Sequence, residues 1–321
     1  MKHGLFIGID GGGTHSTAVA AWPDGRIAAI AKGGGLNFYN DGVETVRLRL
    51  ESMVAELCSK AGAPAQKICV GMSALDGPAD EATHALFTSG ALSCDQLDLQ
   101  SDAYIALMGF TRGEPGMIII CGTGSMLLLL DEAGMQHVSG GWGYLLGDAG
   151  SGYTLAREGL LSVIDESDGV GPRTALTQHA LSYFSAESPR RIIDRVYAPD
   201  CTPDKIAGFA RHVIAEAEGE DALALEILSR NMQRLARLAA QLLKKSPQAH
   251  RVGLYGGIFG HSKAARRLFG DALAKLSPQA EICSLEYPPE LGAIIHSLRR
   301  EGLLTPDVLA QLKETYEEAK R

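Results

Sequence analysis

The feature that most constrains the fold is a pattern that occurs twice, about 110 residues apart. In the first copy, residues 5–22 form two short apolar runs separated by a glycine-rich turn at residues 10–14. In the second copy, residues 117–130 repeat this order around a Gly/Thr turn at residues 121–125. Short apolar runs bounded by turn residues are typical of buried strands. The repetition therefore predicts an internal duplication, with two similar lobes that each begin with a strand, a glycine hairpin and a second strand.

Length and the intervening pattern predict an α/β class for both lobes. The chain has 321 residues, which fits two lobes of about 150 residues better than one core. Apolar residues recur at helical spacing over residues 43–57, and residues 67–71 and 97–100 are typical of buried strands. Gly and Pro interrupt both periods at residues 112–116. We therefore expect three parts: an N-terminal lobe (1–114), a C-terminal lobe with a helical insertion (115–297) and a C-terminal helix packing back on the first lobe (298–321).

Composition argues against several function classes. The 30 Lys and Arg residues against 38 Asp and Glu residues give a net charge of −8, which is unfavourable for binding nucleic acid. No apolar run approaches the ~20 residues that span a bilayer, so no membrane partner is expected. The six cysteines are scattered without a C-x-x-C pair, which argues against a zinc ribbon. Reduced thiols of this kind favour a cytoplasmic protein.

The first glycine hairpin is a candidate phosphate loop. Bare backbone N–H groups at Gly11, Gly12 and Gly13, followed by Thr14, can approach an anion closely. The loop lacks the Lys of a Walker sequence, and a β-rich run follows it where a dinucleotide fingerprint needs a helix. Asp10 could position Mg²⁺ directly or through water, because hard cations prefer oxygen ligands. The alternative is a tight glycine turn with an Asp cap.

The second hairpin has the same two interpretations when taken alone. It consists of Gly122, Thr123, Gly124 and Ser125. Two such hairpins in duplicated positions are a more specific signal for a phosphate-binding site than one hairpin alone. Together they could hold the polyphosphate of a nucleotide from opposite sides of a cleft.

Asp102 follows the strand predicted at residues 97–100 and precedes a helix-like stretch. Ligands of open α/β sheets gather at the carboxyl ends of strands. A carboxylate there can accept a hydroxyl proton during phosphoryl transfer. Spacing alone favours the other interpretation, in which Asp102 is the N-cap of the helix.

Three further segments are candidates for ligand contacts. Residues 140–152 contain six glycines around Trp142 and Asp148, a combination that suits a polyol. Asn37 could bond a sugar hydroxyl or could form an Asx turn. Gly256 and Gly257 end a strand and could let an adenine or ribose approach the backbone, or could simply turn into a helix.

In this order along the chain, these motifs resemble the sugar-kinase/Hsp70/actin ATPase superfamily. The resemblance is strongest to the N-acetylglucosamine kinase branch of the BadF/BadG/BcrA/BcrD ATPase family. The pattern G-G-W-G-x-x-x-G-D-x-G-S matches in full at residues 140–151, and G-x-D-G-G-G-T matches in full at residues 8–14. The resemblance implies two actin-like (ribonuclease H-like) lobes with a cleft between them.

The resemblance also assigns roles to individual residues. It implies that Asp10 acts on Mg²⁺ and that Asp102 is the catalytic base, which reverses the preference for a helix cap. The implied phosphate-binding residues are Gly11, Gly12, Gly13, Thr14, Gly122, Thr123, Gly124 and Ser125, of which Thr123 and Gly124 also border the sugar site. The implied sugar-binding residues are Asn37, Asp102, Gly141, Trp142, Gly143 and Asp148, and the adenosine-binding residues are Gly256 and Gly257. Gly292 and Ala293 resemble the point where a closing helix crosses between the lobes.

The activity implied by the resemblance is transfer of the ATP γ-phosphoryl group to the 6-hydroxyl of N-acetylglucosamine or glucosamine. ATP and Mg²⁺ are the implied cofactors, and a homodimer is common in the resembling family. The cysteine-rich zinc motif of the related ROK sugar kinases is absent. Two alternatives remain: an ATP-hydrolysing activator without a sugar substrate, whose iron–sulfur cluster would need cysteines such as Cys121, and a sugar-binding regulator.

Overall fold

The computed structural model describes residues 4–88, 92–93, 95–219 and 221–320. The described residues form two compact units. The first unit consists of those in Met1–Glu114 and Ser284–Arg321, and the second of those in Pro115–Cys283. Each unit contains a five-stranded mixed sheet with helices packed on it.

The first sheet has the strand order β3-β2-β1-β4-β5. Its strands are β1 (Leu5–Gly11), β2 (His15–Ala21), β3 (Ile27–Gly34), β4 (Ala65–Met72) and β5 (Leu97–Ser101). The first three strands are antiparallel neighbours, whereas β4 and β5 run parallel to β1. Leu5, Ile7 and Ile9 of the central strand are fully buried, as the unbroken apolar run predicts.

Six helices complete the first unit. They are α1 (Phe38–Asp41), α2 (Val43–Ala61), α3 (Glu81–Ala85), α4 (Asp102–Thr111), α14 (Pro289–Arg300) and α15 (Pro306–Ala319). Helix α2 buries Val46, Leu50 and Leu57, so its predicted apolar stripe faces the core. Helix α14 packs on β1, β4 and α4.

The second sheet repeats the topology of the first. Its order is β10-β9-β6-β7-β8, formed by β6 (Gly116–Cys121), β7 (Ser125–Leu130), β8 (Gln136–Gly140), β9 (Arg251–Tyr255) and β10 (Glu281–Cys283). Strands β6, β7 and β8 are again antiparallel neighbours, and β9 and β10 again run parallel to the central strand. The shared order confirms both the predicted duplication and the predicted α/β class.

Helices of the second unit lie between β8 and β9 and between β9 and β10. They are α5 (Gly143–Leu146), α6 (Gly152–Ser167), α7 (Leu176–Phe184), α8 (Ile192–Val196), α9 (Pro203–Ala207), α10 (Ala210–Glu218), α11 (Ala222–Leu243), α12 (Gly257–His261) and α13 (Lys263–Leu276), with a 3-10 turn at Pro189–Arg191. Residues 203–218 form two helices, α9 and α10. They separate at Gly208 and Phe209, where the hydroxyl of Tyr183 would lie 2.4 Å from a Cβ at Gly208.

The structure differs from the sequence-based boundary at residue 297. Residues from Ser284 onward group with the first unit, whereas the sequence analysis assigned residues 115–297 to the second lobe. The cause is close packing along α14. A Cβ at Gly292 would lie 1.9 Å from the carbonyl oxygen of Ile105 on α4, so this glycine marks a helix crossing inside the first unit. Helix α15 also packs there, where Thr315 accepts a hydrogen bond from the Ile27 amide at 3.0 Å.

None of the helices in the described ranges is long and apolar enough to cross a membrane.

Candidate functional site

The first hairpin connects β1 to β2, and its three glycines have different surroundings. A Cβ at Gly11 would lie 2.7 Å from the carbonyl oxygen of Gly71 and 2.8 Å from Leu36, so packing alone requires glycine there. The Gly12 carbonyl accepts from the Leu36 amide at 3.0 Å. Around Gly13, no atom of the described residues lies within 4 Å of a Cβ position. The exposed tip at Gly13 and Thr14 is therefore the part that a ligand can reach.

Asp10 is the half-buried penultimate residue of β1 and shares a face of that strand with Gly8. Burial, together with the negative charges of Glu290 and Asp102, raises the pKa of Asp10 to about 7. A divalent cation would relieve this repulsion, and oxygen ligands suit Mg²⁺, so the donor set fits that ion. Within the described part of the chain, no group of three or more His, Cys, Asp or Glu side chains could hold a metal by itself. Other ligands, such as phosphate oxygens or water, would have to complete the coordination.

Glu290 is a neighbour of Asp10 that the sequence analysis missed. It lies in the first turn of α14 and is only 6% exposed. The backbone carbonyl of Glu290 would lie 2.1 Å from a Cβ at Gly8, which places the start of α14 directly on β1. The Tyr316 hydroxyl on α15 donates a hydrogen bond to the Glu290 carboxylate. An acidic residue straight after Pro288 and Pro289, a helix-start signal, could have drawn attention to this position.

Asp102 is the first residue of α4 and not its cap. The Ser101 side chain caps the helix by accepting from the Tyr104 amide at 3.1 Å. The Asp102 carboxylate accepts from the Ala103 amide at 2.7 Å. Burial raises the pKa of Asp102, and the hydrogen bond from Ala103 opposes that shift. Gly71 pairs with Asp10 in the sheet and would place a Cβ 3.1 Å from the Asp102 Cα, so β4 brings the two carboxylates together.

A buried polar chain anchors the helix that carries Asp102. His296 on α14 bonds to the Tyr104 hydroxyl through Nδ1 at 2.9 Å and to the Asp98 carboxylate through Nε2 at 2.9 Å. Burial raises the pKa of Asp98, but hydrogen bonds from His296 and Gln100 and the charge of Arg300 outweigh it and lower that pKa to about 2. Because an ionised carboxylate only accepts, Nε2 of His296 carries a proton. These hydrogen bonds connect α4, α14 and β5 to one another.

The second hairpin connects β6 to β7 and is held by the start of α6. The Gly122 amide bonds to the Gly124 carbonyl at 2.9 Å. The amides of Gly152 and Tyr153 donate to the carbonyls of Gly122 and Thr123 at 2.7 and 3.1 Å. Amides in the first turn of a helix have no partner within that helix, so they are free to hold these carbonyls. The hairpin backbone is thereby fixed in position.

Asp148, a predicted sugar-binding residue, lies against this hairpin. It is 5% exposed, and its Oδ2 lies 2.8 Å from where a Cβ of Gly124 would be. Burial raises the pKa of Asp148, and a hydrogen bond from the Ser125 backbone opposes that shift. Its φ of 61° is left-handed, a conformation that Asp tolerates at a cost of about 1–3 kcal/mol. Strain of this kind is typical of functional sites.

Ser125 and Thr123 already have hydrogen-bond partners within the second unit. The buried Ser125 hydroxyl donates to the Ala149 carbonyl at 2.8 Å. The exposed Thr123 hydroxyl donates to the Asp204 carboxylate at 2.6 Å. Asp204 comes from α9, in a region where no sequence motif pointed to the site. Of the predicted phosphate loop, the exposed backbone around Thr123 and Gly124 is thus the part best placed to meet a ligand.

The glycine-rich segment after β8 is irregular around one short helix. Gly141 and Gly143 take left-handed φ values of 71° and 77°, which glycine adopts without strain. Between them, Trp142 is 73% exposed, which leaves its indole face available to a ligand. The Gly141 amide donates to the Ser125 carbonyl at 3.0 Å, so this segment adjoins the second hairpin and Asp148.

Gly256 also adjoins the second hairpin. It has a φ of 97°, and a Cβ there would lie 2.4 Å from the Cys121 carbonyl oxygen. Gly257 is more open, because the nearest atom to its Cβ position among the described residues is 4.0 Å away on His261.

Asn37 lies in the first unit, where its Oδ1 accepts from the amides of Tyr39 and Asn40 at 3.1 and 3.3 Å and so caps α1. The side-chain amide NH₂ is what Asn37 can offer to a ligand.

Cys121 is poorly suited to act as a ligand of an iron–sulfur cluster. Its side chain is fully buried, and its thiol donates to the Gly150 carbonyl at 3.0 Å. Burial and the charge of Asp148 raise the pKa of Cys121 to about 12, whereas metal ligation requires the thiolate. The described cysteines are free thiols, and Cys94 lies outside the described residues.

The BadF/BadG/BcrA/BcrD ATPase family matches residues 7–296 of the chain. The N-acetyl-D-glucosamine kinase of Dictyostelium discoideum is 28% identical over 316 residues, covering 93% of this chain and 99% of that protein. The glucosamine kinase of Vibrio cholerae serotype O1 is 30% identical over 258 residues, covering 79% and 84% of the two proteins. A crystal structure from Chromobacterium violaceum, provisionally named an N-acetylglucosamine kinase, has a TM-score of 0.73 and 25% identity, and the match covers 92% of this chain and 99% of that one.

Proposed function

Since the chain belongs to the BadF/BadG/BcrA/BcrD ATPase family, we propose that it is an ATP-dependent sugar kinase with an amino sugar as acceptor. The relatives that support this activity align over most of their own length. Within that frame we assign the 6-hydroxyl of N-acetylglucosamine or glucosamine as the acceptor group. The ATP-driven activator is disfavoured because Cys121, the thiol beside the second hairpin, is buried and protonated.

The observation that carries the proposal is the carboxylate of Asp102. It follows the carboxyl end of a parallel strand, it is not needed as the helix cap, and burial raises its pKa. The sugar hydroxyl oxygen would attack the γ-phosphorus, and the bond from that phosphorus to the bridging oxygen of ADP would break. Asp102 would orient the hydroxyl and take its proton late, because a loose transition state depends more on positioning than on a strong base.

The two hairpins would hold the phosphates through backbone N–H groups. Gly13 and Thr14 form the exposed tip of the first, beside the half-buried Gly12, and Thr123 forms that of the second, beside the half-buried Gly124. Mg²⁺ held near Asp10 would neutralise charge on the β- and γ-phosphates. Repulsion among the acidic side chains around Asp10 supports a cation there.

Sugar contacts would come from groups that adjoin the second hairpin and from Asn37. Asp148 is a fixed acceptor for sugar hydroxyls, and the exposed Trp142 indole can cover an apolar sugar face. The Asn37 amide NH₂ would donate to a sugar oxygen. Gly257 leaves room for the adenosine, with Gly256 fixing the turn before it.

A coupled ADP-release assay with Mg·ATP tests the proposal. The panel contains N-acetylglucosamine, glucosamine, N-acetylmuramic acid, glucose, a 6-deoxy analogue of each active sugar, and no sugar. We expect release with an amino sugar and none with its 6-deoxy analogue. Release that ignores the sugar would instead identify an ATPase, and sugar binding without any release would identify a regulator.

A further inference from the structure

The Thr123 hydroxyl is a polar group whose single proton already has a partner. Thr123 Oγ1 lies 2.6 Å from Asp204 Oδ1. An ionised carboxylate can only accept a hydrogen bond, so the proton in this contact comes from threonine. The separation is within the 2.5–2.7 Å range of charge-assisted O–H···O⁻ bonds, which are roughly twice as strong as neutral ones.

Both partners of this contact are held from outside it. The Tyr153 amide donates to the Thr123 carbonyl at 3.1 Å, which fixes the hairpin backbone. The Tyr183 hydroxyl donates to the Lys205 carbonyl at 2.7 Å, and Thr202 caps α9 through the Lys205 amide. Asp204 therefore approaches Thr123 from a segment with its own anchors.

Because the hydroxyl proton of Thr123 is donated to Asp204, it determines which ligand groups this hydroxyl can bind. With its one hydrogen on Asp204, Thr123 Oγ1 retains lone pairs and can only accept. A phosphate oxygen is also an acceptor, so it can bond this hydroxyl only by breaking the contact with Asp204. A sugar hydroxyl is a donor and can bond it directly. Beside the same hairpin, the Asp148 carboxylate next to Gly124 is a second acceptor.

We propose that Asp204 is a positioning residue that makes Thr123 an acceptor for a hydroxyl of the sugar substrate. Backbone N–H groups of the hairpin would then bind phosphate, whereas the Thr123 side chain would bind the sugar. This inference rests on the proposed kinase function. Asp204 touches Thr123 and acts only through it.

The test measures KM for the sugar and for ATP separately in a small set of variants. Thr123→Val should raise the sugar KM about 10-fold, whereas Thr123→Ser should stay within about threefold of wild type. Asp204→Ala, which frees the proton, should raise the sugar KM about 3- to 10-fold. Asp204→Asn should restore most of that loss, because the amide oxygen still accepts. The KM for ATP should stay within about twofold throughout.

Two comparisons keep the test specific. Asp200→Asn removes a nearby charge, one that pairs with Lys205 at 2.8 Å, and should behave as wild type. Thr123→Val combined with Asp204→Ala should match Thr123→Val alone, because both changes remove one interaction.

The inference would be wrong if the ATP KM rose as much as the sugar KM. It would also be wrong if the increases in sugar KM multiplied in the double variant. In either case, sugar-dependent ADP release by the wild type would still support the kinase assignment. A wild type without sugar-dependent ADP release would reject the proposed function and this inference with it.

Discussion

The two hairpins occupy the same place in two sheets of the same topology, yet the chain surrounds them differently. The first follows a strand whose penultimate residue is Asp10, a carboxylate crowded by Glu290 and Asp102. The second follows a strand that ends in Cys121, a buried thiol, and its acidic neighbours Asp148 and Asp204 come from later segments.

This difference shows how a duplicated backbone can acquire two kinds of chemistry. In the first unit, acidic charge is concentrated beside one strand end, an arrangement that favours a cation. In the second unit, carboxylates accept hydrogen bonds from the hairpin itself, through the backbone of Ser125 and the hydroxyl of Thr123. We expect the acidic side chains around Asp10 to govern dependence on Mg²⁺, and the carboxylates beside the second hairpin to govern dependence on the sugar.

The largest effect should come from Gly8→Ala in the first region. A Cβ there would lie 2.1 Å from the Glu290 carbonyl and 2.8 Å from Ile294, so β1 and α14 would have to separate. We expect a loss of about 3 kcal/mol or more in unfolding free energy by urea denaturation. Gly77→Ala is the matched control, because no described atom lies within 4 Å of its Cβ position. Equal stability of the two variants would contradict the close contact between β1 and α14.

Asp10→Asn should remove a destabilising charge. The folded-state pKa of about 7 lies above the usual 3.8, so the folded protein holds the proton more tightly than the unfolded chain does. The ionised form therefore costs stability as pH rises from about 4 to 7. In magnesium-free buffer, the variant should gain about 2–4 kcal/mol at pH 8 and little at pH 4, measured by urea denaturation. It should also require far more Mg²⁺ for turnover. A uniform gain at every pH would argue against charge crowding at Asp10.

Asp148→Asn should have the smallest effect and act on the sugar alone. Asn tolerates the left-handed backbone of residue 148, so the fold should survive. Loss of the charged acceptor should raise the sugar KM about 10-fold, with the ATP KM within about twofold. Steady-state kinetics with each substrate varied in turn would measure both. An ATP KM that moves with the sugar KM would erase the distinction between the two regions.

The duplicated strand–hairpin–strand order could be predicted from the sequence because apolar runs and glycine turns are local signals. The predicted positions of Asp10 and Asp102 at strand ends followed from the same local signals. Ser101 caps the helix because its backbone is still extended, with a ψ of 152°, whereas Asp102 already begins the helix; spacing could not locate this one-residue boundary.

Glu290 and Asp204 could not be found from local pattern. They reach the hairpins from α14 and α9, which join them only through long-range packing. The boundary at residue 297 differs for the same reason, because Gly292 meets Ile105 across more than half the length of the chain.

The most direct test of the account is the turnover of Asp102→Asn beside its affinity for ATP. The substitution keeps the shape of the side chain and removes the proton acceptor, and Ser101 still caps the helix. With the active amino sugar, kcat should fall about 10²- to 10⁴-fold, while the dissociation constant for Mg·ATP, measured by calorimetry, stays within about threefold of wild type. Near-normal turnover in this variant would contradict the role assigned to Asp102.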